Sequence, residues 1–439
     1  MPSNFSKIMT KEKLKRRVVI TGYGMITPLG KNSDETFENA SKGISGIDYI
    51  TSFDTRGLPC QIAGQVNEDW LKEYYDNTDQ RLDKFSSRGL RLMTIATHEA
   101  AKRARLNEIE HRERIGVSLG SHGENLSVED MMFLHRFYDG KGHWDMKNLM
   151  HSGGYPYPNF FRRKPDAATS IIAALFNARG TNLSLVSACA AGSQAIGEAS
   201  RIIREGKSDV MIAGGCEATI DFSGMVGFIL LKALSEKYPS PQKSSRPFDR
   251  KRNGFVMSEG AGSVILEDLD HARSRGVEIL GELPGYGDSA DAYRITATHP
   301  KGMGAILAMR GALEDASLKP DDVDYINAHG TSTIQNDLSE TLAIKEVFGK
   351  RAGEIPVSSN KSMLGHTIAA AGAIECILTL EGIIRSIILP TINYEFHDPK
   401  CDLDYVPNKA RDKEHKIALS NSFGFGGQNA CLCIGKFEE

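Results

Sequence analysis

Residues 183–193 read LSLVSACAAGS and combine the end of a strand with the start of a helix. The apolar run at 183–186 predicts a strand, and the small residues after it permit a sharp turn into a helix that continues through 194–199. Cys189 therefore lies at a helix N-terminus, where the helix dipole favours a thiolate over a thiol. A thiolate attacks acyl groups, so Cys189 is a candidate nucleophile. A buried structural cysteine is the alternative.

Two polar loops in the second half of the chain supply partners for such a nucleophile. The loop NAHGTST at 327–333 carries His329, and the loop VSSNKSMLGH at 357–366 carries Lys361 and His366. The first loop leaves the end of a predicted strand, where loops commonly carry function, and the second precedes a predicted helix of small residues at 367–374. A lone histidine is more often a hydrogen-bonded bystander. Cysteine together with histidine is the arrangement expected for covalent acyl catalysis.

A glycine-rich segment, SNSFGFGGQN at 420–429, lies near the C-terminus. Its glycines allow backbone N–H groups to approach a ligand closely, although a glycine-rich turn without a ligand is equally common. The segment is not a nucleotide motif. The chain also lacks the phosphate-binding pattern that ends in Gly-Lys-Ser/Thr, which argues against nucleoside triphosphate chemistry.

Together these motifs resemble the elongating β-ketoacyl-acyl-carrier-protein synthases, both synthase II and the ketosynthase subunits of type II polyketide synthases. The resemblance covers nearly the whole chain, from RRVVITGYGMITPLG at 16–30 to CDLDYVP at 401–407. It implies an α/β protein with the thiolase fold, in which two stacked βαβαβαββ halves form a five-layer αβαβα sandwich. It also implies an acyltransferase. The motifs that match are SACAAG with Cys189, NAHGTST with His329, KSMLGH with Lys361 and His366, and NSFGFGG.

The resemblance implies a decarboxylative Claisen condensation with a role for each residue. Cys189 would take an acyl chain from a carrier-protein thioester. His329 and His366, as neutral imidazoles, would contact the thioester carbonyl of malonyl-carrier protein while it loses carbon dioxide. The resulting carbanion would attack the Cys189 thioester, with the N–H groups of Cys189 and Phe425 as the oxyanion hole. Phe425 would also be the gate of the acyl pocket, with Phe423 as its neighbour.

Supporting roles follow from the same resemblance. Lys361 matches a family lysine whose ammonium is held by a carboxylate, and we expect Glu340 to be that carboxylate. A cation beside two imidazoles disfavours their protonated forms, so both would stay neutral near pH 7. Thr331 and Thr333 match positions that hydrogen-bond the pantetheine arm. Ordinary turn hydroxyls are the alternative for these two threonines.

Composition excludes several other classes of protein. With 439 residues, 40% of them apolar, the chain is long enough for a large core or two fused halves. A net charge of −3 argues against a nucleic-acid surface or a membrane patch. No run approaches the roughly 20 apolar residues of a membrane span. The seven cysteines lack paired metal-ligand spacing. We expect a cytoplasmic protein without a metal or cofactor, whose substrates are carried on the phosphopantetheine of a carrier protein.

The order of elements predicts layered α/β packing, because apolar strands alternate with helical stretches. We divide the chain into a polar tail at 1–15, an N-terminal half at 16–274 with the nucleophile, a C-terminal half at 275–436 with the histidine and lysine loops, and a tail at 437–439. Sequence similarity between the halves is too weak to identify a repeat. The predicted strands are 18–22, 115–119, 183–186, 210–214, 262–266, 323–326, 417–420 and 430–434.

Three departures from the housekeeping fatty-acid pattern bear on the pathway. The sequence GSHGEN at 120–125 places Gly123 where an isoleucine usually limits the acyl pocket near the dimer interface. The segment 126–157 is longer and carries aromatic residues among charges, which resembles polyketide ketosynthases, with an elaborated surface loop as the alternative. RNGF at 252–255 and QND at 335–337 also resemble those subunits. These features favour a type II polyketide ketosynthase, with housekeeping β-ketoacyl-acyl-carrier-protein synthase II as the alternative.

Carrier proteins are acidic, so we expect a basic docking patch at the pocket entrance. The candidates are Arg162, Arg163 and Lys164, followed by Arg81 and Lys84. The family works as homodimers, whereas a polyketide relative would pair with a catalytically silent chain-length-factor homologue.

Two further readings are open. The chain could itself be a non-catalytic chain-length factor, but that relative lacks the cysteine found here at 189. It could instead be a coenzyme A-dependent thiolase or starter-unit synthase. His366 argues against both, because starter-unit relatives carry asparagine there and thiolases use a second cysteine as base.

Overall fold

A ten-stranded mixed sheet organises the computed structural model, which describes residues 16–75 and 82–439. The predicted tail at 1–15 and Arg81 lie outside the described residues. The strands are β1 (Val18–Ile26), β2 (Ile47–Tyr49), β3 (Ile62–Gly64), β4 (Ile115–Gly120), β5 (Asn182–Leu185), β6 (Val210–Glu217), β7 (Gly260–Asp268), β8 (Gly281–Ala290), β9 (Tyr325–Asn327), β10 (Val357–Ser358), β11 (Ile387–Ile388), β12 (Arg411–Asp412), β13 (Ile417–Phe423) and β14 (Gln428–Gly435).

The helices of the described residues alternate with these strands. They are α1 (Ser33–Ser41), α2 (Glu68–Tyr75), α3 (Arg88–Arg103), α4 (Val128–His135), α5 (Met146–Ser152), α6 (Pro158–Arg162), α7 (Ala167–Phe176), α8 (Ala191–Arg204), α9 (Phe222–Leu230), α10 (Leu269–Ser274), α11 (Met303–Ala316), α12 (Ile334–Phe348), α13 (Lys361–Leu364) and α14 (Ala371–Arg385). None of them is long and apolar enough to cross a membrane.

The sheet consists of two halves with the same strand order. One half runs β5-β4-β6-β7-β1 and the other β10-β9-β13-β14-β8, which is third, second, fourth, fifth, first in each. Within each half the first three strands of that order are parallel and the next one is antiparallel. The halves meet where β1 pairs with β8 at Val19–Glu282 and Ile20–Gly281. Along the chain both halves follow βαβαβαββ, so the predicted pair of halves is confirmed.

Helices α8 and α14 form the central layer between the halves. They contact each other, and each packs on strands of both halves: α8 on β4, β6, β8 and β14, and α14 on β6, β7, β13 and β14. On the outer faces, α3 and α7 cover the first half, and α11 covers the second with α12 beside it. The layers therefore alternate αβαβα, as the resemblance implied.

A short repeat links the two halves at the level of residues. The sequence GYG occurs at 22–24 in β1 and again at 285–287 in β8. A Cβ on Gly24 would lie 2.2 Å from the carbonyl oxygen of Ala96 in α3, and one on Gly287 would lie 2.1 Å from that of Ala308 in α11. Glycine thus permits each strand to touch an alanine-rich helix. This repeat is too short to identify from sequence alone.

The tyrosine of each GYG points to the opposite face, because side chains alternate along a strand. The hydroxyl of Tyr23 donates to Glu381 of α14 at 2.7 Å. Tyr286 lies against Gly197 of α8. Each half therefore uses the same three residues to contact one outer helix and one central helix.

Strand β8 was not predicted, whereas the eight predicted strands all correspond to observed ones. Its sequence, GELPGYGDSA, contains a proline and three glycines, which are typical of turns. Pairing with β14 on one side and β1 on the other overrides that local preference. Gly285 and Gly287 are needed for contact with α11, which the pattern of residues cannot show.

We expect Gly24→Ala to destabilise the fold by about 1–3 kcal/mol, because the added methyl collides with the backbone of α3. The measurement is the midpoint of urea unfolding. Gly227→Ala in α9 is the matched control, since a Cβ there meets nothing within 4 Å, and it should change stability by less than about 1 kcal/mol. An unchanged midpoint for Gly24→Ala would contradict the close packing of β1 on α3.

Candidate active site

Cys189 lies between β5 and α8, in a short 3-10 turn that spans Ala188–Ala190. The preceding Ala188 has a left-handed backbone with φ of +48°, so the chain turns sharply before the helix begins. Strands β4, β5 and β6 are parallel, and their carboxyl ends share this edge of the sheet. The predicted position of Cys189 at a helix N-terminus is confirmed.

The thiol of Cys189 is buried, and burial opposes its ionisation. Its side chain is only 2% exposed, and burial raises the pKa of the thiol to about 12, although the backbone N–H of Phe425 and the charge of Lys361 act to lower it. Burial of the thiol thus opposes the ionisation that the helix dipole, the neighbouring N–H groups and the ammonium favour.

His366 contacts this sulfur directly. Its Nε2 lies 3.0 Å from Sγ of Cys189, and its Nδ1 accepts a hydrogen bond from the N–H of Ile368 at 3.3 Å. Because Nδ1 accepts, a neutral ring carries its proton on Nε2. His366 thus presents an N–H donor to the sulfur and to the space beside it.

His329 faces the same space. Its ring centroid lies 5.3 Å from that of His366 and 5.8 Å from that of Phe423. Its Nδ1 is buried without a hydrogen-bond partner among the described residues. Burial and the charge of Lys361 hold the pKa of both imidazoles well below its usual range, and for His329 the neighbouring His366 adds to the effect. Both rings are therefore neutral.

The ammonium of Lys361 is paired with the carboxylate of Glu375, not with Glu340. Lys361 and Glu375 are buried, and Nζ contacts Oε1. Burial raises the pKa of Glu375 to about 7, against the lowering effect of Lys361. A carboxylate that sits among apolar residues of α14, in AGAIECILTLEG, is the sequence signal that was missed.

Glu340 has a different role from the predicted one. From α12 its carboxylate accepts the backbone N–H groups of His329 and Gly330, each at 2.8 Å, and the side-chain amide of Asn421 at 3.2 Å. Burial raises the pKa of Glu340 to about 7. The expected Lys361 partnership is wrong, because Glu340 is occupied in holding the backbone of the histidine loop.

A cavity of about 470 Å³ connects this cluster to the surface. Both predicted threonines line it, and their hydroxyls lie 3.0 Å apart. Lys232 and Arg294 line it at exposed positions, together with exposed apolar residues. Sequence analysis did not identify Lys232 and Arg294, because neither belongs to a cluster of basic residues in the sequence. The cavity is lined by Cys189, His329, His366, Thr331, Thr333, Phe423 and Phe425, among others.

An apolar cluster surrounds Cys189. It includes Met225 and Phe255, with Phe228 and Phe425 packed against it at partly buried positions. The rings of Phe228 and Phe425 lie 6.3 Å apart. This surface suits an apolar or partly apolar chain attached to Sγ.

Gly123 does not open space for such a chain. Its backbone has a φ of +79°, and a Cβ built there would lie 2.5 Å from the carbonyl oxygen of Arg163 and 3.2 Å from the carbonyl carbon of Lys164. The residues at 163–164 fill the volume that a side chain would take. The expectation of an enlarged pocket at Gly123 is therefore wrong.

The predicted basic patch is largely engaged elsewhere. The guanidinium of Arg163 contacts the carboxylate of Asp130 and the hydroxyl of Tyr155. Nε of Arg162 donates to the carbonyl of Lys84 at 3.0 Å, and the ammonium of Lys164 lies over the ring of Phe160. None of these basic residues lines the cavity described above. Arg163 and Lys164 thus make contacts within the segment from α4 to α6. The position of this patch, away from the cavity, does not support the docking role expected from the sequence.

Cys189, His329 and His366 have atoms close enough together to hold a metal ion. Sγ of Cys189 and a ring nitrogen of each histidine lie within 4.8 Å of one another. Such a set suits Zn²⁺ in principle. The nearby ammonium of Lys361, which already lowers the pKa of both histidines, opposes a second cation.

Comparison with known proteins agrees with this geometry. The family model of the β-ketoacyl synthase N-terminal domain matches residues 15–272, and that of the C-terminal domain matches residues 280–395. The 3-oxoacyl-[acyl-carrier-protein] synthase 2 of Staphylococcus aureus (strain COL) is 42% identical over 427 residues, covering 96% of this chain and 99% of the relative. The synthase of the same name from Synechocystis is 41% identical over 428 residues, covering 97% and 99%.

Solved structures similar to this chain are also ketosynthases. A type II polyketide acyl-carrier protein in complex with its ketosynthase, bound to the hexaketide, matches with a TM-score of 0.84 and 34% identity, covering 96% of this chain and 100% of that one. The ishigamide ketosynthase/chain length factor matches with a TM-score of 0.84 and 30% identity, covering 97% and 100%.

We expect Lys361→Met to raise the pKa of both His329 and His366, because a nearby cation disfavours imidazolium. The measurement is NMR titration of ¹³C-labelled histidines, assigned with His329→Asn and His366→Asn. In Lys361→Met/Glu375→Gln the unpaired carboxylate is also removed, so this variant isolates the effect of the cation. Lys232→Met, an exposed cation at the cavity, is the control and should leave both values in place. If the pKa values of His329 and His366 were the same in the Lys361 variants as in wild type, the electrostatic role of Lys361 would be contradicted.

Proposed function

The chain belongs to the β-ketoacyl synthase family, and from that premise we propose that it catalyses decarboxylative Claisen condensation on carrier-protein thioesters. Cys189 takes an acyl chain from one carrier protein and releases the phosphopantetheine thiol. Malonyl-carrier protein then loses carbon dioxide, and its carbanion attacks the Cys189 thioester. The Cys189 sulfur leaves with the bonding electron pair and is reprotonated, and the product is longer by two carbons.

One observation carries this proposal: the nucleophile and two neutral donors meet at the base of one cavity. Sγ of Cys189 and the ring nitrogens of His329 and His366 lie within 4.8 Å of one another, and all three residues line the cavity. Loss of carbon dioxide leaves an enolate oxygen, which needs hydrogen-bond donors in a site with little water. Neutral imidazoles that line the cavity can supply them, and Nε2 of His366 lies against the sulfur of Cys189.

Backbone N–H groups stabilise the transition state in which the carbanion attacks the Cys189 thioester. The N–H groups of Cys189 and Phe425 act on the Cys189 sulfur, so they lie where an acyl oxygen on that sulfur develops charge. We assign them to the oxyanion hole, an arrangement typically worth about 3 kcal/mol per donor. Phe425, partly buried and facing Phe228, is placed to gate the acyl chain.

The cavity also accommodates the carrier arm. Thr331 and Thr333 are on its wall, with hydroxyls that can bind the amides of pantetheine. We propose no other cofactor, since every group that the reaction needs comes from the chain or from the phosphopantetheine of the substrate. Each of the seven cysteines is a buried free thiol, which fits a reducing cytoplasm.

An acidic carrier protein fits the mouth of the cavity. Lys232 and Arg294 provide positive charge there, and apolar side chains beside them are exposed, including Ile295 at 82% and Ile334 at 63%. Charge steers the approach, while apolar contacts hold the complex. A structural relative has been solved in complex with its acyl-carrier protein, which supports this mode of delivery.

For the pathway, we propose a type II polyketide ketosynthase, with the housekeeping fatty-acid elongating β-ketoacyl-acyl-carrier-protein synthase II as the alternative. Curated relatives at 42% identity are 3-oxoacyl-acyl-carrier-protein synthases, whereas the solved relatives are a type II polyketide ketosynthase at 34% and a ketosynthase/chain length factor at 30%. Alternate residues of the edge strand β5 are exposed, and Val186, which follows the strand, is 54% exposed. A second subunit, either a copy of this chain or a chain-length factor, would pair there.

Intact-mass analysis tests the proposed chemistry. Wild type incubated with an acyl-carrier protein should gain the mass of the acyl group and then release an elongated product after addition of malonyl-carrier protein. Cys189→Ala should gain no acyl mass. Condensation that survives in Cys189→Ala would overturn the assignment of the nucleophile.

Reversal of the two mouth charges tests docking. We expect Lys232→Glu/Arg294→Glu to raise KM for carrier-protein substrates by about tenfold at low salt, with less effect at high salt. Loading from a small pantetheine thioester should not change. Arg162→Glu/Lys164→Glu is the matched control, because those residues lie away from the cavity. If only the control pair raises KM, docking occurs at the patch expected from the sequence.

A further inference from the structure

A buried serine joins the two loops that carry His329 and His366. Ser359 directly follows β10 and is fully buried. Its hydroxyl donates to the carbonyl oxygen of Gly330 at 2.6 Å, and Gly330 is the residue after His329. Ser359 is not among the residues that line the cavity. Any part that it takes in the reaction is therefore indirect, through the loop that it holds.

Strand pairing ends just before this contact. Strands β9 and β10 are parallel, and their last pair is Asn327 with Ser358. One backbone hydrogen bond follows, from the N–H of Ala328 to the carbonyl oxygen of Ser358 at 2.9 Å. The side chain of Ser359 then reaches Gly330, beyond the end of the ladder. The hydroxyl thus takes over from the ladder in holding the two loops together.

Gly330 is fixed on both sides. Its N–H donates to the carboxylate of Glu340 at 2.8 Å, while its carbonyl accepts from Ser359. Its φ is +35°, and a Cβ there would lie 2.6 Å from the Cβ of Ser359, so glycine permits the close approach. Ser359 has anchors of its own: its N–H donates to Oγ1 of Thr391 at 2.9 Å, and its carbonyl accepts from the hydroxyl of Ser362 at 2.8 Å. The hydroxyl of Ser359 is therefore a fixed point for Gly330.

The ring of His329 depends on its backbone more than the ring of His366 does. Nδ1 of His366 accepts from the N–H of Ile368, and its Nε2 lies against the sulfur of Cys189. Nδ1 of His329, in contrast, has no hydrogen-bond partner among the described residues. The position of the His329 ring is therefore set largely by its backbone and by packing. A shift of Gly330 would move that ring, whereas the ring of His366 would keep its contacts.

From this arrangement we propose that Ser359 is a positioning residue for decarboxylation. Its hydroxyl holds Gly330, and through Gly330 it holds the imidazole of His329 where that ring and His366 reach the same enolate oxygen. Donors aimed at developing charge lose much of their effect when they are displaced. Acyl transfer to Cys189 forms no enolate and does not need this alignment. The proposal rests on the proposed function, because it concerns the loss of carbon dioxide described there.

Two half-reactions are compared in Ser359→Ala. The single-turnover rate of carbon dioxide release from malonyl-carrier protein, by enzyme already loaded with an acyl chain, should fall about tenfold, the effect of one lost buried hydrogen bond. The rate of Cys189 loading, read by intact mass, should stay within about twofold of wild type. Ser358→Ala is the matched control, because its hydroxyl is equally buried but bonds to Tyr325 at 2.7 Å. Both rates should stay near wild type in the control.

A double-mutant cycle with His329→Ala distinguishes positioning from a general weakening of the fold. Because Ser359 acts through His329, Ser359→Ala should not lower carbon dioxide release further when His329 is already alanine. An equal fall in both backgrounds, or a fall in loading that matches the fall in carbon dioxide release, would overturn the proposal. Where Ser359→Ala does not fold, Ser359→Cys takes its place, since a thiol fills similar space and donates weakly.

The outcome for wild type separates the two levels of the account. If wild type releases carbon dioxide and Ser359→Ala releases it at the same rate, the role of Ser359 is overturned alone. If loaded wild type releases none from malonyl-carrier protein, the proposed function fails, and the role of Ser359 fails with it.

Discussion

The buried ion pair of Lys361 and Glu375 is the interaction on which the site depends. An unpaired charge in this interior would be strongly unfavourable, so the ammonium requires the carboxylate beside it. With the pair in place, its positive end lies near both imidazoles and helps to hold them neutral. Neutral rings can donate to an enolate oxygen and leave the cysteine free to be acylated. The ion pair thus sets the protonation of groups that it does not touch.

The stacked halves explain how these groups come together. Cys189 belongs to the first half and begins the central helix α8, while His329, Lys361 and His366 follow strands of the second half. The central helices pack closely because their contacts are made by small residues: a Cβ on Gly192 of α8 would lie 2.7 Å from the carbonyl oxygen of Ala369. The N-terminus of α8 therefore lies against the turn that follows His366, and the sulfur reaches the imidazole.

The resemblance of the sequence to a known family predicted the fold and the side chains that meet at the cavity, because motifs at strand ends preserve their local geometry. It could not predict contacts between distant segments. Glu375 and Glu340 are both buried helical carboxylates, and only packing shows which one reaches Lys361. Gly123 is filled by the backbone at 163–164 through an equally remote contact. Burial of Cys189, which raises the pKa of its thiol, is a further property that the sequence does not show, whereas its position at a helix N-terminus is visible there.

The most direct test of the central claim is the pH dependence of carbon dioxide release from malonyl-carrier protein. The pKa of each histidine lies well below 6.5, so both rings stay neutral as the pH falls from 8 to 6. Protonation of the histidines should therefore not lower the wild-type rate over that range, whereas the rate for Lys361→Met should fall toward the acidic end as its rings gain protons. A wild-type rate that falls near pH 6.5 together with a change in the ¹³C shifts of His329 or His366 over the same range would contradict the account.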